Sequence, residues 1–450
     1  MENKEEPKFL LKLLVDESKD QVVAVESGVD FMDILVSLLT LPMGTIIRLI
    51  KAKDGVVGCM NNLYRSVENL SEEDDLFLDH CKTMLLNPRN PYPKYCMRLK
   101  VDINESGSEK YYQCPSCPNK SYFMNVDCPC YGQFNKETFL KDLVENTCRD
   151  EYVFLKEGIS FLISDDLQVK SASPSSLVQM LSSVGLSDLN QIKEMHIEVG
   201  KDEVIHLLAR SFISKTPLSD VTSNNTKKLE LKLTVRKSTN KVLCAEASND
   251  FIDFLFNFLT IPIGSIEDVL KGNSGLGCID NFYKSVEAVD LKWFNTPSNR
   301  NSYTHEKNVK TILLKPGVAP HHKSEYQLLQ ISERRSEIHT LYDIRQYVRG
   351  AYVEKFKKFT KEPSLFYIMD NLEVRPLSSS STICLLQELN VPVNDVEEQT
   401  ISVGELEALN LLKASLTSSS SALTEGLNQK LKKQVDEDVK CNAKKLCRAG

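Results

Sequence analysis

The chain begins with apolar residues at alternate positions, which is the pattern of a half-buried β-strand. Leu11, Leu13 and Val15 alternate with other residues, the polar stretch 16–20 follows, and a second apolar run occupies 22–25. Two such runs joined by a short polar segment are typical of a β-hairpin. The sequence therefore predicts two antiparallel strands at the start of the fold.

After the hairpin, the apolar period changes from that of a strand to that of a helix. The apolar positions recur three and four residues apart on one helical face: Phe31, Ile34, Leu35 and Leu38. Asp30 can cap the first turn, and Asp33 can reach back towards the positive end of the same helix. Pro42 ends this helix, and Thr45 can cap the next one.

The remaining pattern is mixed and predicts both strands and helices. Strands are expected at 81–86, 95–103 and 159–163, and helices at 175–183 and 201–212. These elements do not follow the regular strand–helix–strand alternation of a parallel sheet. The predicted fold class is therefore α+β.

A second copy of the opening pattern occurs later in the chain. Residues 8–51 align with 228–271 without a gap, and 18 of the 44 positions are identical. The segment 58–68 then recurs at 277–287 with the pattern Gly-Cys-x-x-Asn-[Leu/Phe]-Tyr-[Arg/Lys]-Ser-Val-Glu. Matches of this density indicate an internal duplication, and each copy is too long for a solenoid repeat.

The duplication predicts two tandem, related domains. We assign 1–218 to the first repeat and 227–416 to the second, with the polar stretch 219–226 between them. Residues 417–450 form a Ser-rich linker followed by a charged tail that is either helical or disordered.

Composition and the N-terminal residues predict an intracellular protein, located in the cytoplasm or the nucleus. The 450 residues carry a formal net charge of −7, and the acidic start at 1–7 does not resemble a secretory signal. The most apolar stretch, 31–50, contains Asp33, Pro42 and Arg48, so we expect no membrane-spanning segment. The thirteen cysteines are therefore expected to be reduced, and clustered thiols in a reducing compartment favour metal binding.

Four cysteines of the first repeat form such a cluster. They occur as two close pairs separated by ten residues: Cys114, Cys117, Cys128 and Cys130. This spacing predicts a tetrahedral structural zinc site in an inserted zinc-ribbon-like hairpin near 110–135. Two disulfides, a redox switch, or Cys148 as a substitute fourth ligand are the alternatives, and the second repeat has no matching cluster.

The repeated segment 58–68 has two interpretations. Cys59, Asn62, Tyr64, Ser66 and Glu68 could line a ligand site, or the segment could be a helix with Cys59 packed as a small apolar residue.

The first interpretation makes the chain an enzyme or small-ligand binder. Its pocket would lie near Asn62 and Tyr64 and, in the second repeat, near Asn281 and Tyr283. No catalytic sequence motif supports this view, so we assign no catalytic and no cofactor-binding residue.

A basic segment raises a further alternative. Residues 87–100 contain four cations and no acid, with tyrosines between them, so zinc-assisted nucleic-acid binding is a third hypothesis. The charges around the cysteines are nearly balanced, which argues against it. We favour a non-enzymatic interaction or scaffold protein with a protein partner and with neither a nucleic-acid nor a membrane partner.

Several of these motifs together resemble a known family. The opening Lys-Phe-Leu-Leu-Lys-Leu-Leu-Val-Asp, the helix that ends at Pro42, the segment 58–68 and the run Leu-Leu-Asn-Pro-Arg-Asn-Pro at 85–91 are similar to the plant family catalogued as domain of unknown function 674. The resemblance covers nearly the whole chain in two copies. It implies a plant source and supplies no activity, substrate or catalytic residue.

Overall fold

The structure is a computed structural model of the whole chain. It describes residues 9–16, 21–51, 56–71, 75–76, 78–99, 101–104, 109–139, 155, 160–164, 168–183, 192–199, 204, 229–294, 309–325, 327–334, 336, 341–348, 351–352, 359–360, 365–377 and 391–428.

The described elements of the first repeat combine strands and short helices. The strands are β1 (Phe9–Asp16), β2 (Gln21–Ser27), β3 (Lys110–Gln113), β4 (Lys120–Ser121), β5 (Lys136–Phe139), β6 (Phe161–Ser164), β7 (Val169–Ser171) and β8 (Ile192–Val199). The helices are α1 (Val29–Leu38), α2 (Met43–Lys51), α3 (Met60–Asn69), α4 (Asp79–Leu86), α5 (Pro93–Cys96) and α6 (Pro174–Ser183).

The second repeat follows the same order. Its strands are β9 (Leu229–Arg236), β10 (Lys241–Ser248), β11 (Tyr347–Val348), β12 (Ala351–Tyr352), β13 (Leu365–Met369), β14 (Val374–Pro376) and β15 (Val396–Val403). Its helices are α7 (Asn249–Thr260), α8 (Ile263–Val269), α9 (Cys278–Ala288), α10 (Val309–Leu314) and α11 (Glu405–Thr417), and the mixture confirms the α+β class.

Each repeat is built on an antiparallel sheet of the same topology. The strand order is β7-β6-β2-β1-β8 in the first repeat and β14-β13-β10-β9-β15 in the second. The predicted hairpin is confirmed, since β1 pairs with β2 and, equivalently, β9 pairs with β10. A separate three-stranded sheet, β4-β3-β5, belongs to the cysteine-containing insertion.

Some predicted elements are correct and others are not. The helix that begins near residue 30, the helix near 175–183 and the strand near 159–163 correspond to α1, α6 and β6. The strand predicted at 81–86 is wrong, because this segment lies in helix α4.

Two further predicted elements are not found in the described structure. The strand predicted at 95–103 is also wrong, since residues 93–96 form the short helix α5 and no strand follows among the described residues up to 104. The helix predicted at 201–212 lies outside the described residues, apart from Val204.

Asp33 does not have the capping role that the sequence suggested. Its carboxylate is buried and accepts a hydrogen bond from the backbone N–H of Leu155, at 2.9 Å. The equivalent Asp253 accepts from the backbone N–H groups of Phe359 and Thr360, both at 3.0 Å. Each carboxylate thus ties the first long helix of its repeat to the chain that leads into β6 or β13.

Thr45 also differs from its predicted role as a helix cap. Helix α2 already begins at Met43, and the buried hydroxyl of Thr45 donates to the carbonyl of Pro88 at 2.7 Å. The neighbouring Gly44 explains why this approach is so close. A Cβ at Gly44 would lie 2.6 Å from the Leu85 carbonyl oxygen, so a larger residue would push α2 away from the end of α4.

The two repeats meet through equivalent residues. Pro42 and Pro262 form an isolated antiparallel bridge. The backbone N–H of Met43 donates to Ile261, and that of Ile263 donates to Leu41, both at 3.0 Å. The two bonds join equivalent positions, so swapping the repeats converts one bond into the other. This is the behaviour expected of contacts around a two-fold axis.

Each repeat also places one helix on the sheet of the other. The Ser66 hydroxyl of α3 accepts from the backbone N–H of Val374 on the edge strand β14 at 2.7 Å. In the reciprocal contact, the Ser285 hydroxyl of α9 accepts from the N–H of Val169 on the edge strand β7 at 3.0 Å. We call this pair of contacts the helix exchange.

The hydrophobic core reflects this exchange. One continuous cluster of buried side chains contains residues of both repeats, including the α1, α3, α7 and α9 helices. Residues 422–428 are helical as well, and Leu423 and Leu427 are fully buried in the same cluster. The Ser-rich stretch therefore leads into a core element, while the rest of the tail, 429–450, lies outside the described residues.

Candidate metal centre

The four clustered cysteines bring their sulfur atoms together. The Sγ atoms of Cys114 and Cys130 are 3.4 Å apart, as are those of Cys117 and Cys128, and Cys128 and Cys130 are separated by 3.5 Å. All four sulfurs lie within 4.8 Å of one another. Four sulfurs at about 2.3 Å from a central zinc ion would be about 3.8 Å apart. The observed cluster has the dimensions of a tetrahedral thiolate site.

Two tight turns hold the sulfurs in place. In the first turn, which follows β3, the backbone N–H of Cys114 donates to Asn119 at 3.0 Å. In the second turn, the N–H of Cys128 donates to Gly132 at 2.8 Å and that of Tyr131 donates to Cys128 at 2.9 Å. Tyr131 has a positive φ of 65°, which closes this turn in the left-handed region. We call residues 109–139 the cysteine module.

Gly132 is required by the closeness of the two turns. A Cβ at this position would lie 2.9 Å from the Sγ of Cys114 and 3.5 Å from that of Cys130. Any side chain here would therefore enter the space between the ligand atoms.

A small apolar cluster packs against the cysteine side chains. Phe134 is fully buried and packs with Cys114 and Cys128. Its backbone is fixed on both sides, since Phe134 exchanges hydrogen bonds with Asn125 and Val126 at 2.8 and 2.9 Å. The buried members of this cluster all belong to the module, so contacts within the module help to position the sulfurs.

The surroundings affect the acidity of the thiols differently. Burial opposes ionisation of Cys114, but the backbone N–H of Ser116 and the neighbouring thiols outweigh it and lower the pKa to about 7. Burial raises the pKa of Cys128 to about 12, although the side-chain amide of Asn119 donates to its sulfur at 3.6 Å. Metal binding requires thiolates, so an ion would have to displace protons from the buried thiols on binding.

The predicted ligand set comes together without Cys148, which lies outside the described residues. The disulfide alternative does not fit these distances, because sulfurs at 3.4 Å are well beyond the disulfide bond length of about 2.05 Å. The nine cysteines that the structure describes are all free thiols. Burial raises the pKa of Cys59 to about 11 and that of Cys81 to about 12, so these two remain neutral and pack in the core.

The residues of the repeated segment 58–68 have structural contacts. Asn62 donates to the backbone carbonyl of Asn371 at 3.0 Å, and Ser66 takes part in the helix exchange. The hydroxyl of Tyr64 donates to the carbonyl of Leu86 at 3.1 Å, and Glu68 pairs with the exposed Lys51.

The equivalent residues are placed similarly. Tyr283 is only 3% exposed, as Tyr64 is only 5% exposed, and Ser285 makes the reciprocal contact of the exchange. Asn281 lies one helical turn before it, and its carbonyl accepts from the Ser285 hydroxyl at 2.8 Å. The serine that both copies of the segment share is thus explained by its contact with the other repeat.

The basic segment 87–100 does not present all of its cations to solvent. Arg89 forms an ion pair with Glu109 at 2.7 Å, and its guanidinium lies 4.3 Å from the ring centre of Tyr122. Arg89 is therefore occupied by the cysteine module, which reduces the positive field that phosphate binding requires.

The contact between the module and the second repeat could not be predicted from sequence patterns. The backbone N–H of Tyr342 donates to Lys120 at 2.8 Å, and the Tyr342 side chain packs on the cluster that contains Phe134. Tyr122 lies edge-on to the ring of His322, with centroids 5.5 Å apart. Burial lowers the pKa of His322 to about 3, so this ring is neutral at physiological pH. The module therefore bridges the two repeats.

Comparison with known proteins identifies only a family. A family model described as "Protein of unknown function (DUF674)" matches residues 5–225 and again residues 220–406. The two matches confirm both the resemblance and the duplication. No curated protein and no solved structure matches the chain. Among the described helices, none is long and apolar enough to cross a bilayer.

Proposed function

Because the chain belongs to the protein family of unknown function DUF674, whose description assigns no activity, we propose a function from the site itself. The protein is a non-enzymatic interaction or scaffold protein, and a structural zinc ion is held by Cys114, Cys117, Cys128 and Cys130. The convergence of the four sulfurs within 4.8 Å is the observation that carries the proposal.

The donor set favours a structural role for the metal. Four thiolates would fill all four positions of a tetrahedral ion and leave none for water or substrate, unlike a catalytic zinc. Soft sulfur donors also favour zinc over magnesium or calcium, which prefer oxygen. The ion would join the two turns of a module that has only three short strands and few buried side chains of its own.

Metal analysis of the purified full-length chain tests this proposal. We expect about one zinc per chain by mass spectrometry of the intact protein. Cys117→Ser and Cys128→Ser should each lower the zinc content and the melting temperature. Cys278→Ser, which removes a partly buried thiol of the second repeat, is the matched control and should keep the metal. A fully folded, metal-free wild-type preparation would contradict the proposal.

The interaction role is supported by the surface of the module. Tyr131 is 89% exposed at the tip of the second turn, and Met124 is 47% exposed. Exposed tyrosine and methionine side chains are enriched at protein interfaces. A partner surface centred on Tyr131 predicts that Tyr131→Ala reduces recovery of a reproducible partner without changing zinc content. If the full chain captures no reproducible partner, or if Tyr131→Ala captures it equally well, the role assigned to this surface is wrong.

A further inference from the structure

A cleft lies where the cysteine module meets the helices of the first repeat. Its volume is about 450 Å³, within the range of about 300–1,000 Å³ that is typical of small-molecule pockets. It is separate from the cysteine cluster and is not lined by Asn62 or Tyr64. The charged groups of its wall are Arg48, Arg89, Glu109 and Lys110, and Asn87 and Asn104 are among its neutral polar groups.

One side of the cleft is fixed by the buried ion pair between Arg89 and Glu109. The two side chains are only 18% and 12% exposed. The guanidinium of Arg89 also lies 4.9 Å from the ring centre of Tyr111 and donates to the carbonyl of Lys110 at 2.7 Å. These contacts use the hydrogen-bonding capacity of Arg89 within the wall and hold the module against the helices.

Arg48 is different, because it is a cation without a carboxylate partner among the described residues. Its Nη2 donates to the side-chain oxygen of Asn104 at 2.9 Å. Lys110 also lines the cleft, and it pairs with the exposed Glu137 at 3.1 Å. The lining contains three cations and one carboxylate, in a chain whose net charge is −7. Because Glu109 pairs with Arg89 and Glu137 pairs with Lys110, the net positive charge that the described residues place at the cleft comes from Arg48.

The second repeat shows how this charge arises. The positions equivalent to Arg48 and Asn87 are occupied by Asp268 and Lys315, which form an ion pair at 2.7 Å. In the first repeat the carboxylate is replaced by a guanidinium and the ammonium by an amide. The neutral pair of the second repeat is therefore replaced by a cation that lines a cleft and has no carboxylate partner within the part of the chain that the structure describes.

The lining also includes apolar and aromatic side chains. Met84, Phe123 and Met124 contribute to it, together with Tyr122, whose ring centre lies 4.3 Å from the guanidinium of Arg89. Phe123 is held in place by stacking on His80, with ring centroids 4.6 Å apart. A pocket with convergent polar groups and an aromatic wall suits a ligand that has one charged end and one apolar end.

We propose that this cleft binds a small organic anion. Its carboxylate or phosphate group pairs with Arg48 and reaches the amide of Asn87, and its aromatic or apolar body lies against Phe123 and Met124. A guanidinium suits this task because it donates two parallel hydrogen bonds to either kind of anion. The proposal does not depend on the identity of the metal.

Ligand binding to the full-length chain can be measured with simple probes. The probes are phenyl phosphate, benzoate, neutral benzamide and inorganic phosphate, and their binding is measured by saturation-transfer NMR and calorimetry. Phenyl phosphate or benzoate should bind at least about tenfold more tightly than benzamide, because a charge-assisted hydrogen bond contributes about 1.5–3 kcal/mol. The better of the two anions identifies the head group.

Substitutions at Arg48 and Asn87 test whether the anion binds in this cleft. Arg48→Gln should weaken binding of the aromatic anion about tenfold or more, whereas Arg375→Gln, which removes an exposed arginine of the second repeat, should leave it unchanged. The double variant R48D/N87K reproduces the ion pair of the second repeat and should abolish binding while the chain stays folded. Circular dichroism checks the fold of each variant.

Three results would overturn the assignment. Benzamide could bind as tightly as benzoate and phenyl phosphate, which would remove the role of charge. Arg48→Gln could leave anion binding intact, which would place the site elsewhere. Inorganic phosphate could bind as tightly as phenyl phosphate, which would remove the role of the aromatic wall.

Discussion

The two repeats order the same stretch of chain in different ways. After the equivalent helices α4 and α10, the described elements of both repeats are short, and the sheet of the repeat resumes only at β6 and β13. The first repeat gathers four sulfurs there. The second repeat instead uses Arg345, which is completely buried and whose Nη2 donates to Asp343 and to the carbonyls of His321 and Lys323 at 2.8–3.1 Å.

In the second repeat, a buried ion pair cross-links this stretch, whereas the first repeat has a sulfur cluster in the corresponding part of the chain. The guanidinium of Arg345 joins 321–323 to 343–345 and lies 5.1 Å from the ring centre of Phe359. Burial would raise the pKa of Asp343, but Arg345 outweighs this and lowers it. A side-chain ion pair therefore does in the second repeat what we propose a metal does in the first. The two cross-linked segments also touch each other through Tyr342 and Lys120.

The largest effect is expected from breaking the cross-link of the second repeat. Arg345→Met leaves Asp343 buried without its partner and should cost about 3–5 kcal/mol in the free energy of unfolding. Urea unfolding measures this. Arg375→Met is the matched control, because its pair with Glu373 is more than one-third exposed and should contribute about 1 kcal/mol or less. A loss at Arg345 no larger than at Arg375 would refute the role of this pair.

The proposed metal cross-link of the first repeat can be tested without changing any of the four cysteines. Gly132→Ala places a methyl group 2.9 Å from the Sγ of Cys114 and should reduce metal content, with a loss of about 1–3 kcal/mol in unfolding free energy. Metal analysis and thermal unfolding report the two effects. Gly28→Ala is the control, since a Cβ there meets nothing within 4 Å. Full metal content in Gly132→Ala would show that the turns can separate.

The helix exchange gives a symmetrical test. Ser66→Ala removes the acceptor for the N–H of Val374, and Ser285→Ala removes the acceptor for that of Val169. Each change should cost about 1–3 kcal/mol, because a largely buried donor loses its partner. Ser419→Ala, at an exposed position, should cost little. If only one of the two serines matters, the exchange is not energetically symmetrical.

A smaller effect, the dependence of stability on pH, is expected from a residue pair that only the second repeat contains. Glu267 is buried beside Asp280, where the first repeat has Ile47 and Asn61, and burial followed by the charge of Asp280 raises its pKa well above the usual value. The pKa of Glu267 in the folded state thus exceeds the unfolded value of about 4.3. Its contribution to the free energy of unfolding is therefore fully present below that pH and is lost as the pH rises through the raised pKa.

Glu267→Gln should remove this dependence. The variant should match the wild type near pH 4 and be more stable than the wild type at pH 8, because the amide of glutamine does not ionise in the buried site. Unfolding curves at both pH values measure the difference. Glu287→Gln, on an exposed position of α9, serves as the control. An unchanged pH dependence in Glu267→Gln would assign the effect to other groups.

Local features of the fold could be predicted from the sequence. The hairpin and helix α1 follow from apolar periodicity, and the sulfur cluster follows from spacing, because a tetrahedral site built from two turns is decided within a few residues. The error at 81–86 was avoidable. The buried residues there are Cys81, Met84 and Leu85, which have helical rather than alternating spacing.

Long-range roles could not be predicted in the same way. Asp33 sits where a capping residue would sit, yet its partner is Leu155, 122 residues away. The identity of Ser66 and Ser285 indicated a shared role, but one sequence does not reveal that each serine bonds to the other repeat. The cleft beside Arg48 depends on the position of the cysteine module in space. Its charge becomes visible only when Arg48 is compared with Asp268.

The helix exchange has a consequence for how such a protein could have arisen. A chain with a single repeat would leave the edge strand equivalent to β7 uncovered, with its own serine-bearing helix projecting without a partner. Two such chains could satisfy both needs by associating as a symmetrical homodimer, with the Pro42 contact on the axis. The present chain has the contacts of such a dimer within one polypeptide, so the two halves need no longer have the same sequence, and only one of them contains the four-cysteine cluster.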